Sequence, residues 1–310
     1  MMQKKVENTA NRIAVGTAYG MLGMLSFSLT LPATRAAVLY FHPSVVAFVR
    51  PVVAAVFAAA LLIATKSRFP ARQHWKSFVL IVLGVVIGVP ITFAWGMHSL
   101  PAAHGAITLA LLPLCTALFA KLRTGEHPSK RFWAASLAGS AAVIAFAVTH
   151  SAGSAGVGAI RTGDAVLFLS VIASSLGYAE GARLTRVMPG WEVTSWSIVM
   201  GAPFMVIPAV MAVRTYGMSA PPSAWYGLAY VCIVSQWLGM FAWYKGLAIG
   251  GIAHIGQLQL FQPFCTILFA AVLLAEPITI GTLIAALAVV ASVAVSRSSI
   301  VEIRDQSAAP

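Results

Sequence analysis

The sequence predicts an all-α integral membrane protein, with ten transmembrane helices arranged as two inverted five-helix repeats around a central cavity. Three observations predict it. Hydrophobic residues make up 59% of the chain and charged residues 9%, whereas a soluble domain carries about 25% charged residues. Ten apolar runs are each long enough to cross a bilayer, which takes about 20 residues. Finally, AHGAITLALLPLCTALFA (103–120) returns as AHIGQLQLFQPFCTILFA (253–270), at an offset of 150 with no gap. Ala103/Ala253, His104/His254, Pro113/Pro263, Cys115/Cys265, Thr116/Thr266, Leu118/Leu268, Phe119/Phe269 and Ala120/Ala270 recur in place, with Gly96/Gly246 before them and Glu126/Glu276 after. A fixed-offset repeat decides the architecture before any single helix does.

The apolar runs fall at 13–33, 43–65, 75–95, 103–121, 132–150, 163–183, 193–213, 223–245, 252–274 and 278–296. Between them lie short polar or proline-bearing breaks, none large enough for a soluble domain. The first run follows Lys4, Lys5 and Arg12 and exceeds the apolar core of a signal peptide, about 7–15 residues, so it reads as a retained span. Ser151–Gly158 is a Gly/Ser/Ala linker between the halves. The halves are then 13–150 and 160–297, with tails 1–12 and 298–310.

Lys and Arg set the orientation. With ten spans both termini share one face, and on it fall Lys4, Lys5, Arg12, Lys66, Arg68, Arg72, Lys76, Lys121, Arg123, Lys130, Arg131, Arg183, Arg186, Lys245, Arg297 and Arg304. The other face keeps only Arg35, Arg161 and Arg214. The positive-inside rule places both termini in the cytoplasm. It also accounts for the net charge of +12 without nucleic acid. Five spans per half is an odd number, so the second half enters the membrane upside down. Inverted repeats are the hallmark of secondary transporters, with the substrate near the midplane between them.

Pro113 and Pro263 sit mid-span in the fourth and ninth runs. Each lacks an N–H and should free the carbonyl one turn earlier, at Leu109 and Gln259. A packing kink and a cavity-lining hinge both fit. The copies disagree at three positions: Gln257, Gln259 and Gln262 replace Ile107, Leu109 and Leu112. Amides at mid-membrane are costly unless paired, so they read as interhelical glue or as substrate contacts. His104 and His254 open their spans, either as helix-end side chains or as coupling or substrate groups. Arg50 lies inside the second span, where a guanidinium needs carbonyls, a water-filled cavity or a substrate carboxylate. The eight acids (Glu7, Glu126, Asp164, Glu180, Glu192, Glu276, Glu302, Asp305) fall at span ends or loops. The usual carboxylate for proton or sodium coupling is therefore missing, and facilitated diffusion or coupling through His or Glu180 remains.

Aromatic residues suit interface belts, packing or a cavity wall: Phe93 and Trp95 in the third span, Tyr178 and Trp196 in the sixth and seventh, and Trp237, Phe241, Trp243 and Tyr244 in the eighth. Trp237 is deep enough to favour the cavity. Gly16/Gly20, Gly84/Gly88 and Gly177/Gly181 are small-xxx-small pairs for close helix packing. Cys115, Cys232 and Cys265 read as small buried hydrophobes. No metal-ligand cluster, nucleophile triad or phosphate loop is present, so neither a metal nor a cofactor is expected.

The repeated Pro-centred helix ending in an acid, PLCTALFAKLRTGEHP (113–128) and PFCTILFAAVLLAEP (263–277), together with Arg50 before small apolar residues, resembles the drug/metabolite transporter superfamily, in its ten-helix form with two EamA-type domains. The resemblance covers about residues 13–297 and extends to bacterial amino-acid exporters, including the aromatic type. It implies a basket of helices 1, 3, 4, 6, 8 and 9 around a cavity, in the bacterial inner membrane, moving amino acids or related metabolites outward. Ala110, Leu111 and Leu112 stand where the aromatic exporters carry aromatics, and Ser174 and Ser175 where they carry Trp. The expected protein is a non-enzymatic monomer that meets lipid and a small-molecule substrate. Its cavity is expected to be lined by Phe93, Trp95, Tyr178, Trp237, Gln257, Gln259 and Arg50, and Glu126 and Glu276 are expected to be structural. A drug or nucleotide-sugar carrier of the same fold is the alternative. A membrane enzyme acting on lipid would need a catalytic acid or His cluster, and a channel would need an oligomeric pore.

Overall fold

In the computed structural model, residues 2–99, 109, 111–124, 126–151, 162–274 and 301–303 are described. Their architecture is helical, with one small clip in which Glu126–Pro128 pairs antiparallel with Val301–Ile303. Among the described residues helices fall in the first nine predicted runs, with the helix of the fourth described from Leu112 onward, and 278–296 lies outside the described residues. Among the described residues, seven helical rods are long and apolar enough to cross a membrane: Asn11–Val38, Pro43–Ala64, Arg72–His98, Ala165–Leu184, Gly190–Tyr216, Pro222–Gly250 and Ile252–Leu273. Their outer faces carry exposed Leu22, Val56, Ile63, Leu83, Ile207 and Val272. In water such surface would be a liability, but against lipid it is the solvent-matched face.

Several boundaries differ from the sequence reading, each for a local reason. The first helix begins at Met2, so the expected N-terminal tail is helical. It also runs past the predicted end at 33, bending at Leu29 and continuing as Thr30–Val38. Ser28 returns its hydroxyl to the Met24 carbonyl at 2.9 Å, a bond that bends helices. Pro32 then denies an N–H to the Ser28 carbonyl. Each rod takes the number of the predicted run it fills, and the third (Arg72–His98) and eighth (Pro222–Gly250) are not regular α-helices. Each contains a π-helical stretch, Val82–Gly88 and Tyr230–Leu238, and the two ends at Gly88 and Leu238 are separated by the repeat offset of 150. Pro90 explains the first, because it cannot bond back to Val86. The ninth rod is α over Ile252–Gly256, tight 3₁₀ over Gln257–Phe261, and α again over Gln262–Leu274.

The rods interlock between halves. Met2–Ser28 lies along Gly239–Gly250, and Thr162–Leu184 packs on Val82–Gly88 and Val89–Ser99. Gly190–Tyr216 packs on Pro43–Ala64. Glycine makes the first crossing this close. A Cβ on Gly16 would fall 2.7 Å from the Gly250 Cα, and one on Gly246 would fall 2.6 Å from the Gly20 N. A Cβ on Gly84 would meet the Ala173 carbonyl oxygen at 2.6 Å. Side-chain-free contacts are how helices associate where lipid removes the hydrophobic drive. The main buried cluster joins residues of both halves, from Met24 and Phe27 to Trp243 and Leu258.

Candidate functional site

Arg50 reaches the centre of this core because of how its helix starts. His42 caps Pro43–Ala64, its Nδ1 accepting from the Ser44 N–H at 3.3 Å, and Pro43 fills the first turn. The His42 ring stacks on Tyr216 with centroids 3.5 Å apart. Seven residues further, at 1.5 Å per residue, Arg50 lies about 10 Å along the axis. There Arg50 is only 4% exposed.

It faces a small void of about 30 Å³, room for a water molecule or two. At that size it admits nothing larger than water. Spans from both halves wall it: Phe27 and Thr30 from the first rod, Val85, Val89 and Phe93 from the third, Leu112 from the fourth, Ser174 and Tyr178 from the sixth, Ser235, Gln236 and Met240 from the eighth, and Gln262 from the ninth. Arg50 Nη2 donates to Ser235 Oγ at 3.0 Å, and the Ser235 and Thr30 hydroxyls share a hydrogen bond of 2.8 Å. Arg50 Nε and Gln262 Oε1 have no protein partner. Gln236 Nε2 donates to the Val85 carbonyl at 3.4 Å. Both Gln236 and Val85 lie in π-helical stretches, whose widened turns misalign backbone bonds and often mark functional sites. An aromatic cluster backs the wall. Tyr178 stacks on Phe27 at 6.3 Å, and both meet Trp243 edge-on.

The residues predicted for the site divide. Arg50, Phe93 and Tyr178 line the void. Trp95 does not; it is 44% exposed and lies edge-on to His42 on the outer face. Trp237 sits between the second, seventh and eighth rods. Its Nε1 donates to Ser195 at 3.0 Å and its ring packs on Phe57 and Phe241. Gln257 and Gln259 are buried but absent from the lining. Gln257 Nε2 donates to Ser136 at 2.7 Å, whereas both amide atoms of Gln259 lack a partner. His254 is half-buried in Ile252–Gly256, just after Gly251, whose φ of +86° allows the sharp entry. His104 lies outside the described residues.

Two expectations about the prolines change. The Gln259 carbonyl that Pro263 should free is not free, because the Gln262 N–H takes it through a tighter 3₁₀ turn. Pro113 lies in the first turn of Leu112–Thr124, where a missing N–H costs little. Glu180 lies near the end of Thr162–Leu184, as expected, but does not face solvent there. It is fully buried and held by Arg123 and by Arg183, whose Nη2 lies 3.0 Å away. Arg183 also bonds Ser77. This cluster ties the third, fourth and sixth spans at the Arg-rich face.

Sequence reasoning missed Thr30, Ser174, Ser235 and Gln236. The adjacent Ser235–Gln236 pair, mid-span in an apolar run, was the available signal. The repeated threonines also act alike. Thr266 donates to the Ser28 carbonyl left open by Pro32, at 2.9 Å, and Thr116 donates to Ser175 at 3.4 Å. One ties the ninth rod to the first, the other the fourth to the sixth.

Comparison with known proteins agrees with this architecture. Residues 14–148 and 161–298 each match the EamA-like transporter family. The chain is 39% identical over 287 residues, 93% of its length and 98% of the relative's, to the uncharacterized transporter YdeK of Bacillus subtilis (strain 168). It is 23% identical over 231 residues, 72% of its own length and 76% of the relative's, to the uncharacterized transporter YyaM of the same organism. A protein of known crystal structure superposes with a TM-score of 0.70 at 19% identity, over 91% of this chain and 97% of its own.

Proposed function

The chain belongs to the EamA-like transporter family as a multi-pass membrane protein, and from that premise we propose that it is an inner-membrane secondary transporter exporting amino acids or related small metabolites by alternating access. The observation that carries this reading is the small void around Arg50, walled by spans of both family-matching segments. A small pocket at the junction of the two halves, walled by both, suits a carrier site between repeats. Its cargo enters when the halves rock apart.

The two halves, 13–150 and 160–297, are read as inverted repeats. The packing supports it: the first rod crosses the eighth as the third crosses the sixth, and the second meets the seventh. Exchanging the halves maps this set of contacts onto itself, which is what lets one conformation convert into its mirror in the opposite orientation. The Glu180 cluster lies on the face assigned to the cytoplasm and is read as the latch that closes it. The monomer is the working unit, with both termini cytoplasmic.

Reconstitution into liposomes tests the reading. Saturable, competable flux of at least one member of an amino-acid and metabolite panel is expected. Flux that rises linearly with concentration, or none at all above protein-free vesicles, removes it.

A further inference from the structure

We propose that the cargo is an organic monoanion, a small apolar body carrying one carboxylate and no ammonium group, and that the membrane potential drives its export without a coupling ion. The inference rests on the transport reading above and narrows it.

The charge on the cavity wall is unbalanced. Arginine stays protonated inside proteins, and Arg50 is almost fully buried. Its one resolved hydrogen bond goes to a neutral hydroxyl, and its Nε points to no acceptor. The other polar groups on the wall are the neutral side chains of Thr30, Ser174, Ser235, Gln236 and Gln262, with the hydroxyl of Tyr178. Among the described residues no carboxylate lines the void. Glu180, buried as deeply, is already committed to Arg123 and Arg183. A lone buried guanidinium is costly until an anion meets it, and the planar fork of Arg suits a carboxylate. The facing wall of Phe27, Val89, Phe93 and Met240 suits an apolar body.

The same balance ranks the competitors. A monoanion neutralises the site. A zwitterion brings an ammonium for which the wall holds no counter-charge. A cation meets Arg50 directly. The ranking also removes the difficulty of the absent coupling carboxylate. If Arg50 stays with the protein while the anion leaves, net negative charge moves outward, and an inside-negative potential favours that movement.

The test uses probes that share an apolar body: phenylpyruvate and 4-methyl-2-oxopentanoate as monoanions, phenylalanine and leucine as zwitterions, and phenethylamine as the cation. Efflux is measured from proteoliposomes with protein-free vesicles subtracted, with and without an imposed inside-negative potential. Monoanion efflux is expected to exceed zwitterion and cation efflux roughly tenfold or more, the scale of one charge-assisted hydrogen-bonding pair. It should also accelerate several-fold under the potential. Arg50→Gln should lose the monoanion preference, and Arg50→Lys should keep part of it. Thermal unfolding of both variants in detergent separates loss of binding from loss of fold. Saturable phenylalanine or leucine flux that equals monoanion flux and ignores the potential overturns this inference while leaving the transporter reading intact. Monoanion flux that survives in Arg50→Gln does the same. Flux of no probe overturns this inference, and the wider panel above then decides the transporter reading separately.

Discussion

Arg50 and Ser235 stand 185 residues apart in the chain, yet a 3.0 Å hydrogen bond joins them at the centre of the molecule. The bond couples the second span to the π-helical turn of the eighth. Ser235 also holds Thr30 at 2.8 Å, so one hydroxyl links three rods from both halves. Ser235→Ala leaves two buried polar groups unpaired, at a cost of about 1–3 kcal/mol. A lower unfolding midpoint and a several-fold higher KM for transport are expected. Ser235→Thr, which keeps the hydroxyl, should restore most of the KM. Equal KM values for Ser235→Ala and wild type would show that the hydroxyl does not position the guanidinium.

The membrane class, the positions of nine described helices and the internal repeat were readable because they depend on composition and period. Arg50 was readable for the same reason, since a charge inside an apolar run has few explanations. The local backbone was not. Whether Pro263 frees a carbonyl depends on whether the preceding turn tightens, and sequence alone does not fix that. Depth and facing were also hidden. Trp95 and Phe93 differ by two residues, which on a helix turns one into the cavity and the other onto the outer face. Glu180 read only as a span-end acid, and its burial was hidden because one partner, Arg123, comes from another span 57 residues away.

Gln259 is 1% exposed, and neither amide atom has a partner. Replacing an unsatisfied buried amide with an apolar group of similar size relieves a desolvation penalty of about 1–3 kcal/mol. Gln259→Leu, which copies Leu109 of the first repeat, should therefore raise the unfolding midpoint. Transport should fall at least several-fold, because a costly amide is retained only for a contact made in another conformation. A stabilised variant with undiminished flux would make Gln259 a relic of the duplication.

Gly16 and Gly250 let two helices touch backbone to backbone. A side chain on Gly16 must push them apart, and overpacking of this kind costs about 1–3 kcal/mol. Gly16→Leu should lower the midpoint by several degrees and reduce folded yield, whereas Ala14→Leu, on the exposed face of the same helix, should change neither. Size-exclusion chromatography after heating measures both.

The Arg123–Glu180–Arg183 cluster, with Ser77 bonded to Arg183, holds three spans together, with the arginines half-exposed and the carboxylate fully buried. Glu180→Gln keeps the shape and removes the charge, so the arginines turn to water and the latch loosens. In a background lacking Cys115, Cys232 and Cys265, a cysteine placed at Leu112 on the void reports it. Labelling by a membrane-impermeant thiol reagent should be several-fold faster with Glu180→Gln than without. Unchanged labelling would make the cluster a packing feature and not a gate.

Pro263 forces the ninth rod to change winding, because it offers no N–H to Gln259 and the turn before it tightens to 3₁₀ over Gln257–Phe261. Pro263→Ala restores that donor. The five residues can then wind as α-helix, which rises about 1.5 Å per residue instead of about 2.0 Å. The segment shortens by roughly 2–3 Å, and Gln257 loses its register with Ser136. The variant should fold, since proline is tolerated but not required at the start of Gln262–Leu274. Turnover should nevertheless drop several-fold, because a continuous helix resists the rocking that opens the void. Wild-type turnover in Pro263→Ala would reduce the break to an ordinary packing kink and move the hinge elsewhere.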